Sequence, residues 1–241
     1  MIKGTGKVAL ERSLSKLGLA SRSQTRKMIA EGRITVNGRV VRDPLFPVSL
    51  SKDRITLDGN RPQRQSKEVI MLYKPGSVVT TKSDEKGRRT VFDLLPEELQ
   101  TLHPVGRLDM ATTGLLLLTN DTKFSDHLTD TANALVRTYV VTVDGLVTEE
   151  EVQTLARGVM DQGEVLKPAT LTLRKSSNRE SHLVMTLTEG KNREIRRLFE
   201  ALGHEVRRLK RVSFGTLTLG DLQPGQFRSL TPEEISRLSY R

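Results

Sequence analysis

The sequence predicts an α+β protein in two parts: a small N-terminal domain of two helices plus a small sheet, and a larger domain built on a mainly antiparallel mixed sheet. Three observations carry this. Residues 1–67 hold 15 Lys/Arg against 5 Asp/Glu, whereas residues 68–241 hold 24 of each, so the whole formal charge of +10 sits in the first quarter of the chain. The stretch GNRPQRQSKE at 59–68 is polar, lacks aromatics and carries a proline, the composition of a linker. Beyond it, β-type runs outnumber helical ones and tight turns join them, as in an antiparallel sheet with helices packed against it. The domains are set at 8–60 and 68–241, with 61–67 as the connection.

In the first part, Leu10, Leu14, Leu17 and Leu19 lead to a break at Gly18, and Ser21 with SQTRKMIAEG reads as a second capped helix closed by Gly32. RITVNGRVV is a hairpin signal, with apolar alternation on both sides of the Asn37-Gly38 turn, and DRITLDG supplies a further strand. In the second part, EVIMLYKP is a strand that ends in a turn, and VFDLLPEEL a short helix. LLLLT is a central strand apolar on both faces. RTYVVTVDG, ATLTLRKS and SHLVMTLTEG follow as strands, with TEEEVQTLARGV a capped helix between the first two. NREIRRLFEALGH carries Ile195, Leu198, Phe199 and Leu202 at helical spacing, with Gly203 at its end, and VRRLKRVSFGTLTLGDL closes the sheet.

Composition narrows the function. There is no cysteine, which removes disulfides, thiolate metal sites and thiol nucleophiles and accords with a reducing cytoplasm. The four histidines, at 103, 127, 182 and 204, show no ligand spacing, so no metal is expected. No apolar run reaches the roughly 18 residues of a membrane span, and the first residues lack a signal-peptide core. With a pI near 10, the basic first domain points to an anionic partner, nucleic acid before a membrane surface.

Two clusters can carry chemistry. In GRLDMATTGLLLLTND, Gly106–Asp121, Asp109 stands where a loop enters a buried strand. Its plainest role is to cap a turn. Set against an apolar layer, however, the carboxylate needs a cation such as Arg107 or a distant arginine, and so placed it is a usable nucleophile or base. No second carboxylate is marked at glycosidase spacing. The second cluster, Lys191–Arg211, holds 8 Lys/Arg against 3 Asp/Glu. Arg196 and Glu200, four apart, suit an exposed paired face, while the start of this helix with its arginines also suits phosphates. Tyr139 fits either core packing or a stacking platform for a base. Lys74, at the end of its strand, supports the site electrostatically in one reading.

With these residues quoted, the chain resembles the bacterial ribosomal-RNA pseudouridine synthases that carry an N-terminal S4 RNA-binding domain. RSLSKLGLASRSQTRKMIAEGRITVNGRVV is the S4-like part. YKPGSVVTT, GRLDMATTGLLLLTND, RTYVVTV, EGKNREIRRLFEALGHEV and LTLGDLQPGQFRSLT follow in the family's order. The resemblance implies that Asp109 is the catalytic aspartate, Tyr139 the tyrosine that stacks on the flipped base, and Arg196 the basic residue that pairs with the aspartate, with Arg107 helping to hold the loop. It also implies RNA contacts from Arg12, Lys16, Arg22, Arg26, Lys27, Arg33, Asn37 and Arg39 in the first domain, and from Lys74, Lys191, Asn192, Arg193 and Arg197 in the second. The family's reaction detaches uracil N1 from ribose, turns the base and rejoins it through C5, with no cofactor and no metal. Asp109 then acts at C1′ as nucleophile or at C2′ as base.

Four positions depart from the family's usual pattern: Gly76 directly follows Pro75, Thr113 stands where Ser is common, Thr122 where Gly is common, and Arg137 where Lys is usual. The expected partner is ribosomal RNA, of the 23S large-subunit kind before the 16S, and the expected state is a cytoplasmic monomer. The competing expectations are a non-catalytic RNA-binding ribosome-assembly factor and an RNA glycosylase that would release free uracil.

Overall fold

The computed structural model describes residues 7–17, 22–62 and 66–239, with the side chains of Lys16, Arg22 and Ser23 not described. The expected break at Gly18 and cap at Ser21 therefore lie outside the described residues, as does 63–65 of the connection. The chain divides into two compact units, one running to Glu68 with Asn120–Thr122 added, the other formed by the remainder from Val69.

The first unit follows its apolar pattern. Helices Leu10–Lys16 and Arg22–Ala30 set Leu10, Leu14 and Ile29 against Ile34, Val36, Val48 and Ile55. Strands Ile34–Val36 and Arg39–Val40 pair around Asn37 at φ 53° and Gly38 at φ 82°, the left-handed pair a two-residue hairpin needs. Ile55–Leu57 adds the third strand. A two-residue pairing of Val8–Ala9 with Pro47–Val48 is too short to leave a periodic signal.

The second unit is a nine-stranded sheet. Its main path runs Thr170–Lys175, Glu180–Leu187, Arg137–Asp144, Val206–Phe214, Thr112–Thr119, Val69–Lys74, Phe227–Ser229. Every pairing is antiparallel but one: Val206–Phe214 runs parallel to Thr112–Thr119, with Leu209 beside Thr112 and Arg211 beside Gly114. The leucine run is buried on both faces. Leu115 and Leu117 pack with Phe124, Leu128 and Phe214, whereas Leu116 and Leu118 pack under Val78, Val91, Phe92 and Leu102. A third cluster packs helix Glu194–Glu200 through Ile195, Leu198 and Phe199 onto Val141, Val143 and Met185.

Three expectations need adjustment. VFDLLPEEL is two 3₁₀ turns, Val91–Leu94 and Glu97–Thr101, because Pro96 drives Leu95 to an extended φ of −111° and ψ of 145°. Helix Glu194–Glu200 begins later than NREIRRLFEALGH suggests, since Arg193 sits in the left-handed region at φ 50°. Helices Thr122–Thr129 and Pro232–Ser239 and the hairpin Val159–Asp161/Glu164–Leu166 were not anticipated. Among the described residues no helix is long and apolar enough to cross a membrane.

Gly114 is the tightest point of the parallel seam. Its φ is +105°, and a Cβ there would stand 2.1 Å from the Arg211 carbonyl oxygen. Gly163, at φ +82°, has nothing within 4 Å of such a Cβ. Gly163→Ala should therefore cost only the left-handed penalty of about 1–2 kcal/mol, and Gly114→Ala more than about 3 kcal/mol, because backbone must also move. Denaturant midpoints of the two variants check the ordering.

Candidate active site

Strand Thr112–Thr119 enters the sheet from a turn closed by the Thr112 amide donating to the Asp109 carbonyl at 3.0 Å. Asp109 stands on that turn, three residues ahead of the buried slab, and its side chain is exposed. The turn is held from beneath by Lys74. This lysine is fully buried, and its ammonium donates to the carbonyls of Pro75 at 3.0 Å, Met110 at 3.2 Å and Thr112 at 2.8 Å. Burial pushes its pKa down to about 8, with the Asp109 charge acting the other way. Thr80 adds a second tie, its hydroxyl donating to the Leu108 carbonyl at 2.7 Å. The turn after Pro75 resolves with Ser77 at φ 61°, its amide donating to the Met110 carbonyl at 3.0 Å.

Two sequence expectations change here. Lys74 does not face solvent, so it cannot meet RNA; its charge is consumed in holding the turn that carries Asp109. Asp109 was expected to be sheltered and neutralised by Arg107 or Arg196, yet no ion pair within 4.0 Å joins it to a cation among the described residues. The reason is its position on the exposed turn rather than against the apolar strand. Arg107 is likewise exposed, and the loop ties are made by Lys74 and Thr80 instead.

Asp109 and Arg107 line a cleft of about 500 Å³ together with Tyr139, Glu194, Arg196 and Arg211, a size within the range of small-ligand sites. Tyr139, 8% exposed, lies directly across from Arg211 in the antiparallel register. Phe214 lies under two guanidinium groups, those of Arg137 at 5.0 Å and Arg211 at 5.3 Å from its ring centre. Arg137 donates to four carbonyls, those of Leu135, Thr188 and Glu189 from Nη1 and that of Leu128 from Nη2, with Thr188 at 3.0 Å and Leu128 at 3.2 Å. Arg196 Nη1 donates to the Val206 carbonyl at 2.9 Å, while its buried Nη2 has no partner among the described residues. Glu194 is buried, and burial, then the neighbouring Glu189, push its carboxyl up to about 7. One carboxylate on an anchored turn, a tyrosine on the floor and half-engaged arginines around them suit a nucleotide drawn into the cleft.

Residues 68–201 match the RNA pseudouridylate synthase family, and residues 10–55 match the S4 domain. The chain belongs to the RNA pseudouridylate synthase family. Ribosomal large subunit pseudouridine synthase B of Bacillus subtilis is 37% identical over 231 residues, which span 95% of this chain and 94% of that protein. The protein of the same name from Pseudomonas aeruginosa is 39% identical, over 95% of this chain and 61% of its own length. A crystal structure of a pseudouridylate synthase superposes with a TM-score of 0.68 at 30% identity, covering 96% of this chain and 99% of that one.

The expected RNA-facing residues of this synthase separate by what already holds them. In the second unit Arg197 is bound at 2.5 Å to Asp161 and 2.6 Å to Glu164, which staples its helix to the hairpin Val159–Leu166. Lys191 is bound to Glu189 at 2.8 Å. Both therefore serve the local architecture first. Glu200 pairs with Arg193 at 3.5 Å, not with Arg196 as the four-residue spacing suggested. Asn192 is exposed at the rim. In the first unit Arg26 is paired with Glu11, Arg33 with Asp58 at 2.6 Å, and the Asn37 side chain donates to Asp53 at 3.0 Å. Arg12, Lys27 and Arg39 are exposed; Lys27 has only Glu31 at 4.0 Å, and the other two have no ion pair among the described residues. The side chains of Lys16 and Arg22 are outside the described residues.

Sequence reasoning passed over Glu194 and Arg211 as individual residues. Both sit in the basic cluster, where the one acidic residue enclosed by Lys191, Arg193 and Arg196 was the available signal. Glu194 has a thermodynamic signature. The native state keeps its proton up to about pH 7, while an unfolded chain releases it near 4.5, so this carboxyl contributes stability below 4.5 that is lost as pH rises to about 7. Glu194→Gln should flatten the fall in unfolding free energy between those values, measured by denaturant titration across the range.

Proposed function

We propose that this protein isomerises a specific uridine of 23S ribosomal RNA to pseudouridine, with Asp109 as the reacting carboxylate. The large-subunit assignment is supported by relatives named ribosomal large subunit pseudouridine synthase B at 37% and 39% identity. The observation that carries the chemistry is the Lys74-anchored turn that presents Asp109 at a nucleotide-sized cleft walled by Tyr139 and Arg196.

A uridine stacked in RNA does not reach this cleft, so the nucleotide is extruded, at a cost of a few kcal/mol. The base stacks on Tyr139. Asp109 then attacks C1′ or removes the C2′ proton, the N1–C1′ bond breaks with its electron pair passing to N1, and uracil is held while it turns. C5 bonds to C1′, displacing the Asp109 carboxylate in the first case or with Asp109 returning the proton to C2′ in the second; the C5 proton leaves and N1 takes one up, so the composition is unchanged. Arg196 faces the developing charge with the guanidinium nitrogen that the Val206 carbonyl leaves free. The rigid turn matters because Asp109 must hold its geometry while the base moves.

The S4 domain supplies affinity. Its unpaired or weakly paired cations Arg12, Lys27 and Arg39 contact phosphates, and Arg193 with Asn192 steers the strand at the cleft rim. The domain boundary lies in 61–67, and the protein acts as a cytoplasmic monomer on ribosomal RNA, where this substrate is made.

Asp109→Asn should bind ribosomal RNA within about twofold of wild type and lose at least about 10³-fold in isomerisation, read as mass-neutral conversion of uridine at the mapped nucleotide. Isomerisation by neither protein, with binding by both, would establish a binding factor, and release of free uracil a glycosylase. Exchanging Arg12, Lys27 and Arg39 together for Gln should lower the slope of log affinity against log salt by about 0.7–0.9 per lost contact. An unchanged slope, from filter binding at several salt concentrations, removes these residues from the interface.

A further inference from the structure

Three buried polar atoms of the cleft have no partner among the described residues: Arg196 Nη2, Arg211 Nη2 and Glu194 Oε1. Leaving such atoms unpaired in a folded protein is costly, so their presence together at one site points to a ligand that completes them. Arg196 is absorbed by the developing charge in the reaction described above. The other two remain to be explained.

Arg211 is 3% exposed and fixed at one end, its Nε donating to the Leu115 carbonyl at 2.7 Å. It is the cross-strand neighbour of Tyr139 in the pairing of Arg137–Asp144 with Val206–Phe214, so both side chains leave the sheet on one face, and both line the cleft. Glu194 is 3% exposed and fixed at one end too, its Oε2 accepting from the Lys191 amide at 3.2 Å. Arg137 feels both groups electrostatically, Glu194 raising and Arg211 lowering its pKa; both therefore stand around a single buried guanidinium. Above about pH 7, where Glu194 has released the proton that burial and Glu189 hold on it, what is offered is one donor that cannot accept and one acceptor. A phosphate would satisfy the arginine but meet the carboxyl as a second anion. A neutral edge with an acceptor beside a donor satisfies both.

We propose that Arg211 and Glu194 read the imide edge of the extruded uracil, with Arg211 Nη2 donating to a uracil carbonyl and Glu194 Oε1 accepting from uracil N3–H. Cytosine presents the opposite pattern, an amino donor beside an unprotonated N3, so it leaves both buried groups facing their own kind. The inference rests on the uridine-isomerising reading above. It assigns base selection to two side chains rather than to the stacking tyrosine, which accepts either pyrimidine.

The test, run above pH 7 so that Glu194 is ionised, uses full-length Asp109→Asn protein and a stem–loop transcript carrying the mapped uridine, with twins holding cytidine or N3-methyluridine at that position. Wild type must first modify the uridine transcript; if it does not, the functional reading and this inference fall together. The Asp109→Asn protein should prefer uridine over each twin by at least about 10-fold. Adding Arg211→Met should bring the uridine-to-cytidine ratio to within about twofold, and adding Glu194→Ala should abolish the penalty of the N3-methyl group, in both cases through weaker uridine binding together with relief of the mismatched twin. Modification by wild type with no discrimination between uridine and N3-methyluridine overturns the inference alone, whether or not either variant folds. Ratios that stay at the parent's value in both variants overturn it as well.

Discussion

The seam between the two parallel strands is the constraint from which the site follows. Thr112–Thr119 and Val206–Phe214 are remote in sequence and run in the same direction, the one such pairing in the sheet. Because they are parallel, the turn that precedes the first strand emerges at the same end as Leu209 and Arg211 of the second. Asp109 is on that turn, and Tyr139 faces Arg211 from the next strand over. A Cβ at position 114 would collide with the Arg211 backbone, so a glycine in the leucine run is what lets the seam close.

Below that seam, charge is spent on architecture. Lys74 loses its contact with water and regains three carbonyl acceptors, a trade that holds only while the carbonyls of Pro75, Met110 and Thr112 converge on one point. The ammonium thus works as a clamp: a displaced turn would leave a buried cation unsatisfied. Arg137 follows the same logic with carbonyls of the segments that border the cleft. Lys74 and Arg137, donating to three and four carbonyls, form the frame, and Arg196, Arg211 and Glu194, each with a buried atom that has no partner among the described residues, line the cleft. Degree of hydrogen-bond satisfaction, rather than charge, separates the two sets.

The same distinction reorders the basic residues. A count of Lys and Arg treats each cation as free for phosphate. In the fold, Arg197, Lys191, Arg33 and Arg26 have close carboxylate partners in their own unit, whereas Arg12 and Arg39 are exposed with no ion pair among the described residues and Lys27 has only the exposed Glu31 at 4.0 Å. An RNA phosphate would have to compete with a close ion pair at the former, with water at Arg12 and Arg39, and with the exposed 4.0 Å pair to Glu31 at Lys27. The net excess of positive charge in the first unit is unaffected by internal pairing, so its long-range attraction for RNA remains.

Local periodicity and turn chemistry made much of the fold legible. The Asn37-Gly38 hairpin, the doubly buried leucine strand and the Thr148 cap are decided by residues adjacent in the chain, where sterics and alternation act directly. The proline at 96 likewise carries, in its ring, the reason the expected helix splits into two turns. The candidate site residues Asp109, Tyr139 and Arg196 were legible through the order of the motifs that hold them. Other features were decided only by tertiary structure: that Lys74 points inward, that Asp109 stays outside the slab with no ion pair among the described residues, and that Arg211 and Glu194 meet at one cleft. These depend on which strand lies beside which and in what direction, and on which carbonyls are left unpaired there. Both are set by contacts between residues remote in sequence, such as Arg211 with Leu115, 96 positions apart, and a one-dimensional pattern holds no record of them.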